Sequence, residues 1–403
     1  MNAGHNAQFA PAGVEAGRAV AYIASWMQFS LTNAPTMIET IAILGTGLIG
    51  GSMGLTWRQQ KPSCTIIGYD RPEVLEQAAE RGAITDKAAD PAAAAKRADL
   101  VVLATPIGAV LQLMETIAPH LEPGTIVTDV ASVKGPVIDQ AQDVLPDAVR
   151  FIGGHPMAGA EHAGIAHASP LLFENAAYVL SPLNDSDPAA VRDEFGDLLA
   201  WIDVLGARPL VLSARQHDAI AASVSHVPQL LAVALVDSLG TEDETDPKLR
   251  LAAGGFRDMT RIASSPFDMW RDIFVGNQGA ILDGLSTFIR SLQSLRSRLA
   301  SEDLDALEAA FDDAHQTRAA IPQDTKGFLQ PLADIYVEAE DQHGVLYRLT
   351  GTLHEAGLSI KDIELLKFRE GTGGTFRLSF EDDAKAIEAV DTLTDAGYQA
   401  HRP

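Results

Sequence analysis

The sequence predicts an α/β protein in three structured parts: a doubly wound, mostly parallel sheet over 37–187, an all-helical domain over 188–320, and a small βαββαβ domain over 332–403. Three observations predict this. Short apolar strands alternate with helix-like segments in the first part, the pattern of a parallel sheet covered on both faces. Long stretches of helical apolar periodicity follow. Beyond a linker with two prolines and a glycine, strand and helix patterns return in the order of a ferredoxin-like domain. At 403 residues the chain exceeds what one core accommodates.

The first strand is ETIAILG (Glu39–Gly45), and LIGGSMGLTWRQQ (Leu48–Gln60) follows as a helix. CTIIGYD (Cys64–Asp70) is the next strand. RPEVLEQAAERG (Arg71–Gly82) reads as a helix with Pro72 near its start and Gly82 as its stop. DLVVLATP, TIVTDV and FIGGHP continue the buried strands, and YVLSP (Tyr178–Pro182) adds another. From 188 to 320 the texture is helical apart from RPLVLS, with long periodic runs over Ala214–Leu239, Pro266–Ala300 and Ser301–Ala319. Residues 321–331 read as a linker. In the tail, DIYVEAED, SIKDIELLKFR, GGTFRLSFE and YQAH are strands, with helices over Gly344–Ala356 and AKAIEAVDTLTDAG.

Net charge is −24, from 54 acids and 30 bases. Such a surface repels phosphate backbones, so a nucleic-acid partner is not expected. Any anionic ligand must then be held by a local cluster of Arg or His. The single cysteine, Cys64, excludes an intramolecular disulfide and a cysteine metal site, and reads as a small buried strand residue. No metal is expected. No apolar run approaches the roughly 18 residues that span a bilayer, so a soluble, cytoplasmic protein without a membrane partner is expected. Residues 1–36 read as a flexible extension or an over-long start; Ala19–Leu31 is apolar, but no clear cleavage site follows it.

Four clusters carry chemistry. Gly45-Thr-Gly47-Leu48-Ile49-Gly50 lies between a strand and a helix. Gly45 permits the turn, Gly47 admits a pyrophosphate to the backbone, and Gly50 lets helix and strand pack. Asp70 ends the next strand 20 residues beyond Gly50, where an acid binds ribose hydroxyls. This is a Rossmann fingerprint. Asp70 disfavours a 2′-phosphate, so NAD is expected over NADP, with Arg71 beside it weakening that preference. Leu48, Ile49, Arg71, Thr105 and Pro106 are taken with these as cofactor-binding.

The second cluster, DVASVKG (Asp129–Gly135), stands at the sheet edge where such folds bind ligands, and offers Ser132 as a functional group or only a helix cap. In the third, GGHPMAGAEHAG (Gly153–Gly164), His155 ends a strand on that edge and is an acid–base candidate titrating near neutrality, or a structural histidine. The fourth joins SVSHVPQ (Ser223–Gln229) to GGFRDMTRIASSPFDMW (Gly254–Trp270). If the latter is helical, Arg257 and Arg261 share a face and suit a carboxylate, or are simply exposed ion-pairing arginines.

GTGLIGGS, SVKG, GGHPMAGAE, SHVPQ and FRDMTRIA with MW, in this order over Ile41–Ala320, resemble the TyrA family, the prephenate and arogenate dehydrogenases of tyrosine biosynthesis. The tail resembles an ACT domain, a module that binds an amino-acid effector, although DQHGVL places His343 where proline is common. The resemblance implies NAD-dependent oxidative decarboxylation of prephenate to 4-hydroxyphenylpyruvate. It implies that His155 bonds the ring hydroxyl and helps to remove its proton, that Ser132 holds His155 and the hydroxyl in register, and that Arg261 binds the ring carboxylate. Glu161, Gly254, Asp258 and Trp270 match positions lining or gating the substrate site, and His226 and Gln229 match the motif facing the substrate side chain. It also implies a homodimer built on the helical region.

Many relatives carry a second histidine where this chain has Gln229, so arogenate stays open as substrate. Two other readings compete. A β-hydroxyacid dehydrogenase of the same plan relies on a lysine in the helical domain, where this chain has only Lys248. An amino-acid sensor on an inactive nucleotide fold predicts a damaged site, yet Ser132, His155 and Arg261 are all present.

Overall fold

The computed structural model describes residues 38–159, 163–184, 186–240, 247–321, 332–340, 342–369 and 373–402. The expected N-terminal extension, most of the expected linker, and Glu161 lie outside the described residues.

The chain enters on β1 (Thr40–Leu44), turns at Gly45, and continues as α1 (Leu48–Gln60). Then come β2 (Thr65–Tyr69), α2 (Pro72–Glu80), the two-residue β3 (Asp86–Lys87) and α3 (Pro91–Ala95). The second half of the winding is β4 (Leu100–Leu103), α4 (Ile107–Ile117), β5 (Ile126–Asp129), α5 (Gly135–Val144) and β6 (Arg150–Pro156). In space the strands run β3-β2-β1-β4-β5-β6-β7-β8, with β7 (Ala177–Pro182) and β8 (Arg208–Val211) completing the sheet. β3 through β6 are parallel neighbours; only the β6–β7 pairing is antiparallel.

Both sheet faces are covered, so the strands are apolar on successive residues. Ile41 and Ile43 enter one core, with Trp57, Phe195 and Trp201, while Ala42 and Leu44 enter the other, with Val110, Met114 and Phe151. The chain order of the strands reverses direction between β1 and β4, which opens a crevice at their carboxyl ends.

The border expected at 187/188 falls inside this layer. α6 (Pro188–Val204) buries Phe195, Trp201 and Ile202 against the sheet, and β8 pairs with β7. Helical texture alone could not show that α6 is a crossover returning the chain to the sheet. The helical region therefore starts at α7 (Ala214–Ala221), which passes through a π-helical turn (Ala222–His226) into α8 (Val227–Asp237). It continues as α9 (Pro247–Leu251), α10 (Gly254–Thr260), a 3₁₀ turn (Arg261–Ser264), α11 (Phe267–Gly276), α12 (Gln278–Ala300) and α13 (Leu304–Ala320).

The run Ala214–Asp237 is long and apolar enough to cross a membrane by length and composition, which the sequence reading did not anticipate. Its polar residues His217, Asp218, His226 and Gln229 are buried in hydrogen bonds within the protein, while Ile220, Val224, Val233 and Val236 are exposed.

The tail forms an antiparallel sheet of order β10-β11-β9-β12 from β9 (Ala333–Ala339), β10 (Asp362–Arg369), β11 (Gly373–Phe380) and β12 (Gln399–His401). With α14 (Val345–Glu355) and α15 (Asp383–Asp395) this is the expected ferredoxin-like βαββαβ unit, with its own core of Ile335, Val337, Leu349, Leu353 and Leu378.

Trp57 joins α1 to α6: its ring meets Trp201 edge-on at 5.7 Å, and its Nε1 donates to the Trp201 carbonyl at 2.9 Å. Trp57→Ala should lower unfolding stability by about 3–5 kcal/mol; a denaturant midpoint close to the parent's would show that α6 is held elsewhere.

Candidate active site

The nucleotide side is built by the β1–α1 turn. Gly45 sits at φ +104, and a Cβ there would lie 2.4 Å from the Ala104 carbonyl oxygen; one at Gly50 would lie 2.0 Å from the Gly45 carbonyl. These two glycines are required by packing. Gly47 differs, because a Cβ there would meet nothing within 4 Å. The open space lies over the start of α1, whose first turn, including Leu48 and Ile49, has no side-chain cap and presents free N–H groups. A diphosphate fits this cradle.

Asp70 follows β2 and accepts the Thr46 N–H at 2.7 Å and the Arg71 N–H at 2.7 Å. A carboxylate offers about four lone-pair sites, so capacity remains for ribose hydroxyls. Asp70, Arg71 and Thr105 line one cleft of about 870 Å³. Thr105 Oγ1 is buried without a protein partner there, and Pro106 leads into α4. The residues present therefore fit a dinucleotide.

The substrate side centres on His155, at the end of β6. A second cavity of about 310 Å³ is lined by Ser132, His155, His226, Met269, Trp270 and Ile273 among others. The structure thus brings together four of the expected residues, Ser132, His155, His226 and Trp270. Gln229 is buried behind them, with its Nε2 donating to the Ile262 carbonyl at 3.0 Å. It anchors the turn headed by Arg261, and its Oε1 is buried without a partner among the described residues. Gly254, Asp258 and Arg261 lie on exposed α10 and its following turn, outside the residues lining this cavity. Helix α10 ends at Thr260, and Arg261, still in helical backbone, is its C-cap and opens the 3₁₀ turn. Arg257 Nε donates to the Ala252 carbonyl at 3.1 Å.

Sequence reasoning missed three residues that hold His155. His155 Nδ1 lies 2.8 Å from His217 Nε2, and His217 Nδ1 lies 2.7 Å from Asp218 Oδ1. The Asp218 carboxylate accepts the Lys134 N–H at 2.7 Å and the Gly135 N–H at 2.8 Å. His217 is therefore a hydrogen-bonding partner of the His155 ring, and Ser132 contributes to the same cavity wall. Lys134 is fully buried, paired with Asp129, and its Nζ donates to the Gly154 carbonyl at 2.6 Å. The available signal was an adjacent His–Asp pair at the start of a long apolar run.

Burial pushes the His155 imidazole well below its ordinary range, with His217, Lys134 and His226 adding to the effect. It is thus neutral through neutrality, lower than the near-neutral titration expected from sequence. Burial also lowers His226 to about 4. The burial that would raise the Asp218 carboxyl is outweighed by hydrogen bonds from His217 and the Lys134 and Gly135 amides, which hold it below its usual value. Asn277 Nδ2 donates to the Asp218 carbonyl at 2.7 Å and faces His226 Nδ1 at 3.2 Å. Lys248, the only lysine of the helical region, donates to the Leu239 carbonyl and takes no part in the cavity.

A dinucleotide cradle at the sheet's switch point, joined to a neutral histidine in a cavity closed by a helical domain, defines a Rossmann-type dehydrogenase. Comparison with known proteins makes this specific. Residues 53–200 match the nucleotide-binding domain of prephenate dehydrogenase, and residues 213–313 its dimerization domain. The prephenate dehydrogenase of Bacillus subtilis is 38% identical over 357 residues, covering 87% of this chain and 95% of that protein. A crystal structure of prephenate dehydrogenase from A. aeolicus, in complex with hydroxyphenyl propionate and NAD+, superposes with TM-score 0.65 at 28% identity, covering 72% of this chain and 99% of that one. Arogenate dehydrogenase from Synechocystis superposes with TM-score 0.61 at 30% identity, covering 70% and 99%. The chain belongs to the prephenate dehydrogenase family of NAD-dependent oxidoreductases.

Replacing Asp70 with Asn removes the charge that opposes a 2′-phosphate, so discrimination against NADP should fall markedly. An NAD-to-NADP ratio of kcat/KM equal to the parent's would remove Asp70 from the ribose site.

Proposed function

We propose that within this family the chain acts on prephenate in preference to arogenate, with His155 as the base. The observation that carries the choice is the protonation pattern of His226. Its Nδ1 faces the Asn277 amide nitrogen, which leaves Nε2–H as the ring's donor in a cavity where the imidazole stays neutral. A donor there suits the keto oxygen of prephenate and opposes the ammonium of arogenate.

His155 accepts the ring hydroxyl proton as hydride leaves the same carbon, so that a carbonyl forms and the ring carboxylate is lost as CO₂. Bound NAD supplies the hydride acceptor. Ser132 positions the hydroxyl. Arg261 binds the ring carboxylate, supported by its place on the turn that Gln229 anchors. That pair serves ground-state binding, since the carboxylate loses its charge during reaction. Gly254 and Asp258 serve the substrate side from exposed α10, with Trp270 on the cavity wall.

The enzyme works as a cytoplasmic homodimer. Leu282, Ile289, Leu292 and Leu299 along α12 are about half exposed or more, an apolar face that a second copy would cover. The tail binds an amino-acid effector, tyrosine, beside the turn 342–346. There Gly344 adopts φ +77 and opens the start of α14 to a ligand.

Two measurements test this reading. NAD reduction by the parent should be faster with prephenate than with arogenate, and His155→Asn should lower kcat by roughly 10²-fold or more. Only neutral His155 can accept the proton, so kcat/KM falls as pH drops through its depressed pKa, with the acid limb below about pH 6.5. Equal use of arogenate, or near-parental turnover in the variant, would overturn these assignments.

A chain ending at residue 330 should still turn over prephenate but lose most of its response to tyrosine. Equal, purely competitive inhibition of both chains would place tyrosine at the active site and remove it from the tail.

A further inference from the structure

The contacts behind His155 form a directed chain. Asp218 Oδ1 and Oδ2 are occupied by N–H donors from the backbone, which can only donate, and the carboxyl is held in its ionised form. His217 Nδ1, 2.7 Å from that carboxylate, must therefore carry a proton. In the neutral ring Nε2 is then a lone pair, and it faces His155 Nδ1 at 2.8 Å. His155 must in turn carry its proton on Nδ1, which leaves its Nε2 as a lone pair. The tautomer of a base is set here by a carboxylate two imidazoles away.

We propose that His217 is the resting place of the substrate proton, and that His155 is the relay through which it arrives. When the hydroxyl O–H bond breaks, its proton joins His155 Nε2 while the His155 Nδ1 proton passes to His217 Nε2. His155 ends neutral, protonated on Nε2, and the positive charge rests on His217 beside Asp218. The hydroxyl bond pair becomes the carbonyl π bond as the C–H pair departs as hydride. When CO₂ leaves, its bonding pair aromatises the ring to a phenolate, which takes the proton back along the same path. The sum releases no proton.

Charge decides where the proton stops. The ionisable groups around the two rings are Lys134 and Asp129 from the β5 edge, His226 from the π turn, and Asp218 beside His217. Lys134 and Asp129 already neutralise each other in a fully buried pair. Asp218 is the carboxylate in direct contact with either ring, and it touches His217. Both His217 and Asp218 are buried, so water cannot meet the charge in its place.

The inference rests on His155 being the base, which His155→Asn tests by itself. Nitrogen-15 NMR of the full chain tests the relay without turnover: at neutral pH, His217 should be protonated on Nδ1 and His155 on Nδ1, with both Nε2 atoms bare. His155 protonated on Nε2 would overturn the proposal. In kinetics, His217→Gln can still accept the His155 hydrogen bond but cannot take a proton. It should lower kcat by about 10–100-fold with KM for prephenate and NAD nearly unchanged. Its acid limb should also shift, because the ring that would hold the added charge beside Asp218 is gone. A loss of turnover without a shift of the limb would reduce His217 to packing and overturn the relay, even if the tautomers agree.

Discussion

The active side of this protein depends on one buried ion pair. Asp129, at the end of β5, and Lys134, five residues on, are both fully buried. Burying two charges is costly, and their attraction repays it only when the remaining hydrogen-bonding capacity is filled. Here it is filled by backbone. Asp129 accepts the Ala131 N–H at 2.8 Å and the Gly154 N–H at 3.0 Å, and Lys134 Nζ reaches the Gly154 carbonyl. The pair thereby welds the β5 end, the loop bearing Ser132 and the residue before His155 into one unit. Gly154 cannot be larger, since a Cβ there would lie 2.4 Å from the Asp129 carbonyl oxygen.

The helical region attaches to this unit through its own acids. Helix α5 starts without a side-chain cap of its own, and Asp218 from α7 accepts its first N–H groups. Helix α4 also starts uncapped, and Asp272 from α11 accepts the Gly108 N–H at 3.1 Å. Each contact places a negative charge at the positive end of a helix dipole, a favourable arrangement of order 0.3–1 kcal/mol or more. They also fix geometry. Asp218 cannot cap α5 without bringing His217 to His155, and α11 cannot cap α4 without bringing Trp270 and Ile273 over the cavity. Domain attachment and site assembly are the same set of bonds.

Much of this was legible in the sequence. The glycine turn, Asp70 and most of the buried strands follow from local rules: a pyrophosphate needs glycines at fixed offsets, and buried parallel strands need unbroken apolar runs. The cavity residues Ser132, His155, His226 and Trp270 were found through motifs. The sheet border was misplaced because α6 is as apolar and periodic as the helices beyond it, and periodicity does not say which layer a helix covers. The Gln229 contact with the Ile262 carbonyl was not legible, because a buried amide looks the same in sequence whether it faces a ligand or a backbone carbonyl.

The sequence by itself determined the class of fold and the cofactor cradle and marked His155 as a candidate, because each signal is encoded within a stretch of some twenty residues. Tertiary structure alone decided the electrostatics of that histidine. His155, His217 and Lys134 stand on separate elements, up to 83 residues apart along the chain. Only folding brings His155 within hydrogen-bond distance of His217, sets the buried Lys134 beside them, and removes the water that would screen the three. A depressed imidazole pKa and a fixed tautomer are products of burial and contact, and neither has a local signature in the chain.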